Sequence, residues 1–251
     1  MNDEFQERTY RQLVRGHLPS MRVSVQETDL SVHASGIDSG LVKEAVIEHR
    51  GYIENYIQNH PDFSRALLPW PEDPLAPPVV QEMIHAGKRA NVGPMAAVAG
   101  AVAQSVGRFL LSHTDEVIIE NGGDIFLKTR RDLSIGIYAG HSPLSLKVGL
   151  KIASVQTPIS VCTSSGTVGH SLSYGKADAV CVLSKSCALA DACATAIGNQ
   201  INTPDDIEPA IQKGRVIPGV LGILVIAEDK MGAWGQIAMT AMGIAADNPV
   251  L

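Results

Sequence analysis

Apolar and polar residues alternate over positions 21–26 and again over 30–34, with Glu27-Thr28-Asp29 between them. A period of two broken by a short polar stretch predicts a β-hairpin. From Ser39-Gly40 onward the period changes. Leu41, Ala45, Ile47, Ile53 and Ile57 form a partly apolar face, which predicts a helix over 41–58 that ends at Asn59-His60-Pro61. Residues 61–78 are Pro-rich, carry Trp70 and show no period, so they predict an ordered surface loop. A short helix over 79–86 follows, with Pro78 near its first turn. Residues 95–111, opened by Gly93-Pro94, are mostly Ala, Val and Gly with few charges, which predicts a helix buried on most sides.

The second half is richer in strands. Short apolar runs at 116–120, 124–128 and 133–138 are separated by turn signals and predict an antiparallel meander. Further strands are expected at 144–152, 159–163 and 178–183. An Ala-rich helix over 187–199 and a second helix over 204–213 come next, and strands at 220–227 and 234–239 form a final pair. Strands and helices alternate without a steady βαβ repeat. This predicts an α+β fold, with antiparallel or mixed sheets packed against helices.

Composition narrows the function classes. A chain of 251 residues suits a single domain over its whole length, with two lobes dividing near 61–78. Aromatics make up only 4%, so the core is built from aliphatic residues and stacking platforms for single-stranded nucleic acid are not expected. A net charge of −6 leaves no basic excess for neutralising phosphates, which excludes a dedicated nucleic-acid binder. The start, Met1-Asn2-Asp3-Glu4-Phe5, has no basic region followed by an apolar run, and the longest apolar stretches are too short to cross a bilayer. The cysteines are Cys162, Cys181, Cys187 and Cys193, with no CxxC pair. Their spacing matches no zinc or iron–sulfur pattern, so they are read as core residues of a cytoplasmic, reduced protein.

Three segments carry candidate chemistry. Asn121-Gly122-Gly123-Asp124 follows an apolar strand. Paired glycines let a ligand approach the backbone, and Asn-Gly is also a strong hairpin-turn signal. Thr163-Ser164-Ser165-Gly166 opens a loop of small hydroxyl and glycine residues that reaches His170. Such a loop offers hydroxyls and N–H groups to an anion, or serves as a plain polar connection. It is neither a Walker A loop nor a G-x-S-x-G elbow. On the Ala-rich helix, Asp191 and Thr195 are four residues apart and project from one face. A carboxylate and a hydroxyl there suit Mg²⁺, which borrows its other oxygens from water and phosphate. The alternative is an Asp placed favourably near a helix N-terminus.

The order of these segments, with the stretch Val180 to Ala196 and its Ala-Asp-x-x-x-Thr-Ala ending, resembles the ApbE family of Mg²⁺-dependent FAD:protein FMN transferases. The likeness covers about residues 90–200, and the N-terminal hairpin resembles a short branch rather than the transferases proper. The resemblance implies an ApbE-like α+β fold with a cleft for FAD as ligand or substrate. It implies that Asp191 and Thr195 hold Mg²⁺ against the pyrophosphate. Asn121, Gly122, Gly123 and Asp124 would line the cleft, and Thr163, Ser164, Ser165 and Gly166 would contact the nucleotide. In the family reaction a Ser or Thr hydroxyl of an acceptor protein attacks the phosphate on the FMN side, and AMP leaves.

The chain departs from the family in two respects: many members are exported lipoproteins whereas no export signal is read here, and one segment differs. The transferases carry His-x-x-Asp-Pro-x-Thr-Gly between the Ser-Gly loop and the last strand. Here the interval 167–177 holds Gly169-His170-Ser171 and no Asp-Pro. His170 is the candidate base. Two other readings stay open: a flavin or nucleotide binder without transfer chemistry, and an enzyme of another class built on Ser164, Ser165 and His170.

Overall fold

The computed structural model describes residues 17–166 and 175–242. Its first hairpin pairs β1 (Ser20–Val25) with β2 (Thr28–Ala34), and Val25 lies opposite Thr28. The turn is therefore Gln26-Glu27, with Gln26 at φ 51°, and not Glu27-Thr28-Asp29. Asp29 belongs to the strand because its carboxylate is buried against β1. Arg22 Nε donates to it at 2.7 Å and Ser24 Oγ at 2.8 Å.

α1 (Ser39–Asn59) starts at Asp38, whose carboxylate accepts from the amides of Gly40 and Leu41. Its buried face is Val42, Ala45, Val46, Ile53 and Tyr56. Ile47 is half exposed, contrary to the expected face. At about 100° per residue it is turned away from the buried face, about 140° round from Val42. The Pro-rich stretch is ordered as expected, with Phe63 buried between Tyr56 and Trp70 in edge-on ring contacts of 4.9 and 5.5 Å. α2 (Pro78–Ala90) ends on Asn91 in the left-handed region. A 3₁₀ turn at Pro94–Ala97 leads into α3 (Val98–Leu110).

The remaining strands are β3 (Val117–Asn121), β4 (Asp124–Lys128), β5 (Leu133–Gly136), β6 (Val148–Ile152), β7 (Ile159–Ser164) and β8 (Ala179–Ser184). They are followed by α4 (Cys187–Gly198), α5 (Ile207–Gly214), β9 (Val220–Ala227), β10 (Lys230–Gly235) and β11 (Met239–Ala241). Eight strands form one antiparallel sheet in the order β1-β2-β3-β4-β7-β8-β9-β10. A second sheet runs β11-β6-β5. The expected meander thus stops after β4. β5 leaves for the second sheet, and β7 takes its place beside β4. The last pair is also shifted. β9 turns at Glu228-Asp229 into β10, while β11 crosses to β6.

Both faces of the large sheet are covered, and this explains its nearly continuous apolar strands. On one face Val117, Ile119, Phe126, Val180 and Val225 pack under the helices. On the other Ile118, Ile125, Leu127, Cys181 and Leu224 meet the small sheet. α3 lies close on the sheet because Gly107 has no side chain; a Cβ there would sit 2.3 Å from the Phe126 ring. Among the described residues no helix is long and apolar enough to cross a membrane.

Candidate functional site

A helix leaves its first amides without internal acceptors. The first turn of α3 has no cap from its own side chains. A neighbouring helix supplies one: the Gly100 amide donates to Asp191 Oδ2 at 2.9 Å. This contact needs glycine. A Cβ on residue 100 would lie 2.5 Å from the Cys187 carbonyl oxygen and 2.9 Å from Asp191 Cβ. Asn121, at the end of β3, donates its side-chain amide to the Ala99 carbonyl at 3.0 Å. The same helix start therefore holds Asn121 and Asp191.

Asn121 and Asp124 face each other across a two-residue turn, with Gly122 at φ 67° and Gly123 at φ 102°. The segment is thus a hairpin turn, and the turn delivers Asp124 to the site. Glu120 Oε1 accepts from the Gly123 amide at 2.8 Å. A Cβ on Gly123 would come 3.3 Å from the Thr163 carbonyl, so the turn lies against β7. Asp124 pairs with Cys162 in the β4–β7 register.

Asp124 and Asp191 are hydrogen-bonded to each other. Burial raises the pKa of Asp124 far above the usual carboxylate range, and the adjacent Asp191 charge raises it further. Burial also raises Asp191, to about 7, against the pull of the Gly100 amide, Asp124 and the Ala99 amide. Asp124 is fully buried and Asp191 partly exposed. Asp124 therefore holds its proton more tightly, and Asp191 is the carboxyl of the pair that ionises first.

Two thiols back this pair. Cys162 is hydrogen-bonded to Asp124 and lies 3.5 Å, sulfur to sulfur, from Cys187. All four cysteines are free and buried. Burial raises the Cys162 thiol well above its ordinary value, Cys181 to about 11 and Cys193 to about 12. Thiols held protonated in this way are packing residues rather than nucleophiles.

The other expected residues fall into two groups. Thr195 sits one turn beyond Asp191 on α4 and is partly exposed. Thr163 and Ser164 are in β7, with Ser165 and Gly166 just past it. The chain continues toward the C-terminal end of α4, where Gly166 lies close to the Gly175 backbone and Gly175 close to that of Gly198. His170 lies outside the described residues.

Among the described residues no group of three or more His, Cys, Asp or Glu side chains is arranged to hold a metal. The donors present are a carboxylate, a second protonated carboxyl and a hydroxyl. That set fits Mg²⁺ shared with a phosphate ligand, since Mg²⁺ keeps waters and uses one or two protein carboxylates. Spacing gave no sign of the Cys162–Cys187 contact or of the Gly100 amide. Asp191 was visible as the one charge on an Ala-rich helix.

A family model described as AbpE bacteria matches residues 11–216. The UPF0280 protein of Methanococcus aeolicus is 39% identical over 222 residues, which is 86% of this chain and 90% of its own. That of Methanocaldococcus jannaschii is 42% identical over 224 residues with the same coverage of both chains. Among solved structures, the flavin transferase ApbE from Vibrio cholerae aligns with 86% of this chain and 97% of its own, at a TM-score of 0.54 and 14% identity. The Pseudomonas stutzeri flavinyl transferase ApbE in its apo form covers 86% and 94%, at 0.54 and 12%. At such identities the likeness is one of fold.

Proposed function

Because this chain belongs to the AbpE bacteria family, we propose that it binds a flavin nucleotide together with Mg²⁺ and transfers FMN from FAD to a hydroxyl of an acceptor protein. One observation carries the reading: Asp191 accepts from the Gly100 amide at the start of α3 and lies beside the buried carboxyl of Asp124, near the Gly122-Gly123 turn and β7. A partly exposed carboxylate held by a helix amide is a fixed acceptor. Asp191 and Thr195 would hold the metal, and a metal there would neutralise charge on the pyrophosphate.

The chain's own part is to position the reactants. The absence of side chains at Gly122 and Gly123 would let a ligand approach the backbone there. The Thr163–Gly166 stretch offers hydroxyl and amide donors to phosphate oxygens. In the transfer, the acceptor oxygen bonds to the FMN-side phosphorus and the bond to the bridging oxygen breaks. AMP takes that electron pair. The acceptor proton goes to a base, for which His170 is the candidate.

A second reading follows from the missing His-x-x-Asp-Pro segment: the cleft is kept for binding alone. Thermal-shift titration separates ligand classes first. FAD with Mg²⁺ at about 100 times its Kd is expected to add about 2.7 kcal/mol of stability, and neither component alone gives the full effect. No shift with FAD, FMN or ADP overturns the flavin assignment. Stoichiometric AMP release on incubation with FAD then supports transfer chemistry, and saturable binding without AMP supports the second reading.

A further inference from the structure

α3 is nearly all apolar, yet it carries Gln104 at its centre, fully buried. Both ends of this amide are used. Its Oε1 accepts from the Cys187 amide at 2.7 Å, and its Nε2 donates to Glu82 Oε2 on α2 at 2.6 Å. Glu82 also accepts from Arg108, one turn further along α3. The Cys187 amide is the first of α4 and has no acceptor within its own helix.

The spacing gives this network its meaning. Gly100 and Gln104 are four apart on α3, and Cys187 and Asp191 are four apart on α4, so each pair lies on one helix face. Gly100 meets the Cys187 carbonyl and Asp191, while Gln104 meets the Cys187 amide. The two stripes mate at one axial setting only. A slide of α4 along α3 breaks the Gln104 bond and the Gly100–Asp191 bond together. An apolar side chain would fill the same volume but would not fix that setting.

We propose that Gln104, braced by Glu82, is the positioning residue that sets Asp191 against the Gly100 amide. It touches no ligand and acts through α4. The consequence for Mg²⁺ rests on the function proposed above; the positioning itself does not.

Two variants test it. Gln104→Met keeps the volume and removes both hydrogen bonds. The double variant Gln104→Glu/Glu82→Gln keeps both, because the carboxylate at 104 accepts from Cys187 and from the amide at 82. Amide exchange is followed by NMR in the ligand-free protein. In Gln104→Met the Gly100 and Cys187 amides are expected to exchange on the order of ten-fold faster, with β9 amides unchanged. In the double variant Gly100 returns to the wild-type rate. Wild-type exchange at Gly100 in Gln104→Met overturns the proposal. If Gln104→Met does not fold, Glu82→Ala decides, because it removes the brace on Gln104: faster Gly100 exchange supports the proposal, and exchange at the wild-type rate overturns it. A Mg²⁺ half-saturation raised about ten-fold in FAD titrations of Gln104→Met, and restored in the double variant, extends the result to the proposed site. Faster Gly100 exchange without any Mg²⁺ effect leaves the positioning intact and removes the metal reading.

Discussion

Asp191→Asn is expected to abolish the Mg²⁺-dependent part of the FAD-induced stabilisation while making the ligand-free protein more stable above pH 7. The two effects share one cause. In the native state burial lifts the pKa of Asp191 to about 7, against an ordinary value of 3.8. Between those values the folded chain binds more protons at this position than the unfolded chain does. Stability therefore falls as pH rises through that window, and the loss is complete above the folded pKa. Asparagine carries no charge to desolvate. Its oxygen still accepts from the Gly100 amide, and its NH₂ group faces Asp124. Thermal denaturation from pH 4 to pH 8 checks this: the wild-type melting temperature declines across the range and that of Asp191→Asn declines less. A parallel decline in both proteins, or an unchanged FAD and Mg²⁺ shift in the variant, would sink the assignment. A site of the proposed kind would give up ligand-free stability to keep a carboxylate where a cation can be held.

A large loss of stability is expected from Gly175→Ala. A Cβ at that position would lie 1.8 Å from the Gly198 carbonyl oxygen and 2.9 Å from that of Ile201, both backbone atoms. The neighbouring Lys176 amide is already bonded to the Ile201 carbonyl at 2.6 Å. Nothing flexible can yield, so the strand entry must move away from the end of α4. Overpacking of this kind costs about 3 kcal/mol or more, roughly 6–12 °C in a chain of this size. Gly51→Ala is the matched control, because it sits within α1 with nothing within 4 Å of an added Cβ. There the change is expected to stabilise by up to about 1 kcal/mol. Equal melting temperatures for the two variants would show that the glycine contact at the end of α4 bears no strain.

Strands were readable where an apolar run is bounded on both sides by turn residues. β4 and β9 fall on their expected limits for this reason. β10 was displaced because Lys230, Met231, Gly232 and Trp234 carry no regular alternation on an exposed edge. The departure of β5 to a second sheet depends on which strand β4 pairs with, and that is decided by contacts remote in sequence. In the site, Asp191 and the Asn121–Asp124 turn could be picked out because each breaks a local rule: a charge on an alanine helix, and a glycine pair after a strand. Gln104 and Gly100 could not. A polar residue or a glycine in an apolar helix is a local oddity whose meaning is set by Cys187 and Asp191, more than eighty residues away.

The strand order has a consequence for how the chain is made. Along the large sheet each strand lies next to the one synthesised before it, apart from the excursion of β5 and β6. A nascent chain leaving the ribosome can therefore lay this sheet down in one direction, each new strand docking on an edge already present. The small sheet works differently. β5 and β6 emerge midway, but their third strand is β11, at Met239–Ala241. One face of the molecule thus waits for its closing strand until every other described strand has been made. A chain ending before Met239 would have its small sheet one strand short.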